Sequence, residues 1–300
     1  MALKIAFLGL PLAALLLRHD GHDVVYAGIC RAGALGTRRL RRLLPKGRVH
    51  VKPNLVADAE RIRACSPDLV VSWFWTSRIP KAVRLAGRLA AFGVHPSLLP
   101  RHRGGDPYFA VIDAGETVTG VTAHLLEEEY DTGDLLGRRE LAVDPSWTAW
   151  RLAKRLDRPS LALLRDVARA YAEGGDVKRE VQDDSLATAA PLPDEDDLEL
   201  DFAWPAERVA QRVRAVSPYP GAYFYMGESL VTVVEAHAVP RAPDGLAQGE
   251  VAVDASGTAV VCTGRGGLEL HVCRLAADDD DAEVTLDRLA CAAHVRKAAL

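Results

Sequence analysis

The chain has 300 residues, 49% of them hydrophobic and 26% charged, the composition of a globular protein with room for one large domain and a smaller one. A formal net charge of −4 gives no overall basic field for nucleic acid, and no apolar run approaches the ~20 residues that a membrane-spanning helix needs. Five cysteines, Cys30, Cys65, Cys262, Cys273 and Cys291, are odd in number and lack a C-x-x-C pair, which argues against a disulfide framework and a zinc site.

In chain order, "KIAFLG" reads as a buried strand, "PLAALLLRHD" as a helix and "DVVYAGI" as a second strand. Residues 1–17 thus read as strand and helix, without the basic n-region and cleavage site of a secretory leader, and a cytoplasmic location is expected. A basic segment follows, in which Arg31, Arg38, Arg39, Arg41, Arg42, Lys46, Arg48 and Lys52 occur with no acid among them. Then come helix "DAERIRAC", strand "DLVVSWFW", helix "PKAVRLAGRLA" and strand "AFGVHP". Apolar strands without alternation, each followed by a helix, predict a mostly parallel sheet covered by helices on both faces, a Rossmann-like α/β domain. "YFAVIDAGE" predicts a helix ending at Gly115, and "VTGVTAHLL" and "DLLGRREL" an antiparallel strand pair around the acidic loop "EEEYDTG". A long helix is predicted next, capped by Ser146, with a break near Pro159 and a stop at Gly174 and Gly175.

"ATAAPLP" and the acidic "PDEDDLELD" then suggest a linker, so the chain is divided into residues 1–182, a linker at 183–203 and a second domain at 204–300. In that second part a helix "AERVAQRVRAV" precedes short strands "YFYMG", "LVTVVEAHAV", "GEVAVDA", "AVVCTG" and "LELHVCRL", the pattern of a small, OB-like β-barrel. The acidic "ADDDDAE" at 277–283 reads as a solvated loop.

The first turn, "FLGLPLAA", has one glycine where a dinucleotide fingerprint needs three, and no P-loop or H-E-x-x-H is present. The chemistry is expected instead where "FGVHPSLLPRHRGGDP" ends a strand, on the sheet edge that binds ligands in open α/β folds. His95 stands there, and "YDTGDLL" places Asp131 in the following strand connection; a carboxylate beside an imidazole makes an oriented proton carrier. The bland alternative is a histidine that bonds a loop carbonyl.

The run "GVHPSLLPRHRGGDP…GETVTGVTAHLLEEEYDTGDLL" resembles the folate-dependent formyltransferase family, whose signature is Asn-x-His-x-Ser-Leu-Leu-Pro, Arg-Gly-x-x-Pro, Thr-Gly-Val-Thr and Asp-x-Gly. The likeness continues through "VQDDSLATAAPL" and "LDFAWPAERVAQRVRAVSPYPGAYFYMGESLVTVVEA", which is similar to the carboxy-terminal domain shared by methionyl-tRNA and aminoarabinose formyltransferases. The resemblance implies formyl transfer from 10-formyltetrahydrofolate, as co-substrate, to a primary amine, with no metal. It puts the catalytic positions at His95, Asp131 and Gly93, with Ser97, Gly104 and Gly105 shaping the loop. Folate is expected along Phe74, Trp75, Thr76, Ile79, Ser97, Glu129, Tyr130 and Asp134. Trp73 and Trp75 either stack on a ligand ring or pack in the strand core.

Gly93 departs from the family's Asn and supplies no side-chain donor to a tetrahedral oxyanion; loss of such a donor costs roughly 3 to 4 kcal/mol. Three readings stay open: water or a side chain such as His102 or Arg103 replaces the amide, the substrate uses the space, or turnover is slow or lost. The acceptor is expected against Arg38, Arg39, Arg41, Arg42, Arg103 and Gly104. An aminoacyl-tRNA would use the arginines to neutralise phosphates, while "RRLRRLL" also fits an amphipathic helix with a solvated basic face. A small-molecule or sugar-nucleotide amine is the alternative acceptor, and a folate- or RNA-binding protein without turnover is the alternative class. No membrane and no protein partner are indicated.

Overall fold

The computed structural model describes residues 1–174, 177–276 and 283–298. The expected helix stop at Gly175 and residues 277–282 of the acidic loop lie outside the described residues. The chain forms two compact units, one of Met1–Pro107, Val118–Ala142 and Lys154–Pro191, the other of Tyr108–Thr117, Val143–Ala153 and Leu192–Leu300.

The chain begins with β1 (Lys4–Gly9), α1 (Pro11–His19), β2 (Asp23–Ile29), α2 (Thr37–Leu43), β3 (Val49–Val51), α3 (Leu55–Ala64), β4 (Leu69–Trp73), α4 (Lys81–Arg84) and β5 (Ala90–His95). Next come α5 (Pro107–Asp113), β6 (Val118–Leu125), β7 (Leu135–Ala142) and α6 (Ala149–Ala172). The seven-stranded sheet of the first unit has the order β3-β2-β1-β4-β5-β6-β7. Its first five strands are parallel, and β6 and β7 are added antiparallel. Strands β1 and β4 are buried on both faces, as a parallel sheet requires: Ile5, Ala6, Phe7, Leu8, Leu69, Val70 and Val71 are all fully covered. On one face Ala6, Leu8 and Val70 pack with Leu55 and Ile62 of α3 and Val83 of α4. On the other, α6 reaches the sheet through Tyr171, stacked on Phe92, and Ser160, which accepts from the Trp73 indole at 2.8 Å.

In the first part of the chain, up to the end of α6, local structure departs from the sequence expectation in four places. The helix expected over "PKAVRLAGRLA" stops at Arg84, because the backbone N–H groups of Arg88 and Leu89 donate to Pro67 and Asp68 and draw the chain into β5. Helix α6 runs through Pro159 unbroken. A mid-helix proline costs about 3 kcal/mol, and the buried stripe of Leu156, Leu164, Val167 and Ala168 offsets it, since each large apolar side chain contributes roughly 1.5 to 3 kcal/mol. The cap of α6 is Thr148, whose Oγ1 accepts from Arg151 N, whereas Ser146 bonds through both N and Oγ to Asp144. The half-buried β3 lies within the basic segment, where no strand is expected.

The second unit continues with α7 (Glu195–Leu198), α8 (Ala206–Val216), β8 (Ala222–Met226), β9 (Ser229–Val239), β10 (Val251–Val253), β11 (Ala259–Cys262), β12 (Gly267–Ala276), β13 (Glu283–Leu286) and α9 (Arg288–Ala298). Its antiparallel sheet has the order β10-β11-β12-β9-β8, with β13 paired to the far end of β12, a half-barrel of the OB-like kind. Helix α8 matches its amphipathic sequence pattern and buries Val209, Ala210, Val213 and Val216. All five cysteines are free thiols.

Candidate active site

His95 is the last residue of β5, beside the point where the sheet turns from parallel to antiparallel, and its side chain is buried. Its Nε2 lies 2.7 Å from the carbonyl oxygen of His102, and its Nδ1 3.4 Å from Asp131 Oδ2. Asp131 sits between β6 and β7 at φ +59°, and its Oδ2 accepts the backbone N–H of Gly104 at 2.9 Å. Its other oxygen, Oδ1, faces Nε2 of His124 at 3.4 Å, while His124 Nδ1 lies 2.9 Å from the carbonyl oxygen of Leu125.

A carbonyl oxygen can only accept, so His95 carries a proton on Nε2 and His124 one on Nδ1. In the neutral tautomers both remaining ring nitrogens turn a lone pair towards the same carboxylate, itself acceptor-only when ionised. Burial holds the His124 imidazole below the ordinary histidine range, although Asp131 opposes this, so that ring is neutral near pH 7. A proton added to His95 Nδ1, by contrast, would meet Asp131 on one side with the His102 carbonyl already engaged on the other. Two ring nitrogens and a carboxylate thus face one another with no proton between them, the arrangement of groups that proton transfer uses.

Register explains the third member. Gly93 pairs with Ser72 of β4 and with His124 of β6, and, being two residues before His95, shares its face of the sheet. A Cβ built on Gly93 would lie 3.3 Å from Leu126 Cδ2 and 3.5 Å from Ser72 Cβ, so a side chain fits if Leu126 gives slightly. His124 is the residue that sequence reasoning misses: inside an apolar run nothing marks it until strand pairing sets it opposite Gly93.

The loop after His95 is held from both ends. Ser97 Oγ donates to Arg101 O at 2.6 Å, and Thr122 Oγ1 donates to Ser97 O and accepts from Leu99 N. Arg103 donates its backbone N–H to Thr188 O and accepts that of Ala190, and a Cβ on Gly104, at φ +124°, would come within 2.9 Å of Ala190 O. Gln182 closes the arrangement: its Nε2 donates to the carbonyls of Asp131 and Gly133, and its Oε1 accepts from Arg103, which also reaches Asp184. The structure therefore directs the Arg103 guanidinium into the support of the Asp131 loop.

The two segments expected to hold folate lie side by side. Arg78 approaches Glu129 at 3.8 Å and lies over the Tyr130 ring at 5.7 Å, and Arg84 approaches Glu127 at 3.7 Å. Phe74 turns the chain out of β4 at φ +58°, Thr76 is exposed and Ile79 is buried in the core. Trp73 is a core residue, and Trp75 packs against the same core as α3 and α4 while its buried indole N–H has no partner. Asp134 contributes its carbonyl to Leu125 N, closing the loop between β6 and β7. Arg38, Arg39, Arg41 and Arg42 are all exposed on α2, whose Thr37 and Leu40 are buried. The structure gives these four arginines no link to the His95 cluster.

Comparison with known proteins identifies the family and the fold. The family described as formyl transferase matches residues 48–167, and its C-terminal domain matches residues 194–279. The chain is 35% identical to a methionyl-tRNA formyltransferase of Halorhodospira halophila over 90% of this chain and 91% of the relative. It is 31% identical to one of Chloroflexus aurantiacus over 89% and 91% of the two chains. Among solved structures, HypX from Aquifex aeolicus in complex with tetrahydrofolic acid shares the fold with a TM-score of 0.69 at 18% identity, over 99% of this chain. The chain spans about half, 48%, of that HypX chain. An N-formyltransferase from Helicobacter canadensis, solved with folinic acid and dTDP-3-aminofucose, has a TM-score of 0.67 at 11% identity and covers 90% of this chain and 99% of its own.

Proposed function

The chain belongs to the formyl transferase family, and on that premise we propose that it moves a formyl group from 10-formyltetrahydrofolate to the primary amine of an aminoacyl-tRNA. The observation that carries the reading is the His95–Asp131–His124 cluster, whose two imidazoles face one carboxylate, beside the segments 74–79 and 129–134. The unpartnered Trp75 N–H is a donor that a heteroatom of the folate could satisfy. The exposed arginines of α2 and the length of the match to methionyl-tRNA formyltransferases support the tRNA acceptor.

In this reading the amine nitrogen attacks the formyl carbon, the carbonyl electrons move onto oxygen, and the bond to the folate nitrogen then breaks. The formyl oxygen accepts a hydrogen bond from the Nε2–H of His95 in place of the His102 carbonyl, and Asp131 stabilises the ring while it carries the proton lost by the amine. The proton lost by the amine passes through His95 and Asp131 to the departing folate nitrogen. Neutral His124, with its one N–H on Leu125, does not replace the amide missing at Gly93; it sets the polarity around Asp131. One donor fewer at the oxyanion makes the chemical step slow relative to a site with Asn.

The test is transfer of a labelled formyl group by purified protein to a panel holding methionyl-tRNA, free amino acids and an amino-sugar nucleotide. Labelled methionyl-tRNA is expected. Folate binding without labelling of any acceptor would overturn the enzyme reading, and labelling of the sugar nucleotide alone would overturn the acceptor.

A further inference from the structure

In the second unit, β9 and β12 bring together four side chains that the proposed reaction does not use. Along β12 the register with β9 slips: Leu270 pairs with Ala236 and Val272 with Glu235, leaving His271 as the extra residue of a bulge. A bulge re-aims the side chain it carries. Here His271 comes against His237, with ring centroids 4.1 Å apart and planes inclined by 43°. Glu235 Oε1 lies 3.7 Å from His237 Nε2, and Glu269, the pairing partner of His237, places Oε2 3.2 Å from His271 Nε2.

We propose that Glu235, His237 and His271 bind a divalent transition cation of the zinc class on the second unit, with Glu269 orienting His271. Ligand atoms of the three residues all lie within 4.8 Å of one another. Donors around tetrahedral zinc stand roughly 3.3 Å apart, given metal–nitrogen bonds of about 2.0 Å. The difference is closed by rotation of His237 and Glu235, which are 59% and 56% exposed and free to turn, while His271 is 20% exposed and fixed by its neighbours. Two imidazoles with a carboxylate select zinc, cobalt, nickel or copper over magnesium and calcium, which prefer oxygen alone. Glu269 accepts from Nε2–H of His271 and so leaves the lone pair on Nδ1, the carboxylate–histidine–metal arrangement that raises ligand basicity. Three protein ligands leave a fourth position to water, so the ion exchanges with solvent, and when bound it ties two strands together. No spacing motif announces the site, because its histidines are 34 residues apart in sequence and meet only through strand pairing.

The full chain, stripped with a chelator and titrated with Co²⁺, tests this. One cobalt per chain is expected, with visible d–d bands of nitrogen and oxygen ligation and no thiolate charge-transfer band, since the free cysteines take no part. Glu269→Gln should weaken binding about tenfold, and His237→Ala and His271→Ala by on the order of 100-fold or more, beyond the outer-shell effect. The exposed substitutions Glu235→Gln and His237→Gln carry the test if His271→Ala does not fold. Absence of d–d bands in the wild-type protein, or wild-type cobalt affinity in the His237 variants, would overturn the proposal.

Discussion

Asp113 in the second unit and Asp131 in the first are almost equally shielded, with side chains 17% and 15% exposed, yet their surroundings treat them in opposite ways. Asp113 receives four bonds from Arg208 and Arg212 at 2.7 to 3.1 Å. Arg212 is itself completed by Asp197 and lies over the rings of Trp204 and Phe109. The Asp113 carboxylate is thus matched by two guanidinium groups, which keep it ionised near pH 7. Asp131 has one backbone N–H at 2.9 Å and two imidazole nitrogens at 3.4 Å, with too few protons to join them. Saturated charge holds a fold together; a titratable shortage is what proton transfer requires.

Substitution of the two aspartates should separate these roles. Asp131→Asn is expected to lower the turnover of formyl transfer by on the order of 10²- to 10⁴-fold, the worth of general acid–base catalysis, with a melting temperature close to wild type. Asp113→Asn should do the reverse: removing one partner from a buried pair costs about 3 to 5 kcal/mol, seen as a lower denaturant midpoint, while turnover per folded molecule is retained. Equal losses of stability in both variants would erase the contrast.

The first unit was readable in the sequence wherever burial is uniform. Strands β1, β2, β4 and β5 and helices α1 and α3 follow from apolar runs and helical periodicity, as does α8 in the second unit. Expectation failed where tertiary contacts decide the backbone, as at α4, ended by Pro67 and Asp68, and at α6, carried past Pro159 by packing. It also missed β13 and α9, which follow the strongly acidic stretch. Within the site, His95 and Asp131 stand in local motifs, whereas His124 and Gln182 depend on strand register and on the return of residues 180–190 to the loop after β5. The metal-capable pair His237 and His271 was hidden for the same reason.

Gly93→Asn sharpens the comparison by adding a donor beside the unsaturated cluster. Leu126 can yield the few tenths of an ångström required, and transfer to a simple amine should rise by on the order of 10²-fold, the lower end of what an oxyanion donor supplies. A fall in activity would mean that substrate occupies the space at 93.

Acid titration of stability gives the smallest expected effect. Burial alone would raise the Asp113 carboxyl, but the hydrogen bonds and charges of Arg212 and Arg208 outweigh it and hold it below 3.8. Its contribution is complete above the unfolded carboxyl's pKa and is lost as pH falls through the depressed folded value. His124 acts earlier: its ring is held below 6.5 chiefly by burial, so as pH falls past 6.5 the unfolded chain binds the proton first and stability declines. His124→Gln should remove the upper decline and Asp113→Asn the lower one, read from urea midpoints across pH.

The most direct measurement is single-turnover formyl transfer by His95→Ala beside wild type, with tetrahydrofolate binding measured on the same preparations. Binding within a few-fold of wild type together with a loss of transfer on the order of 10²-fold or more is expected. Transfer at the wild-type rate without the imidazole would contradict a proton-carrying role for the His95–Asp131 pair.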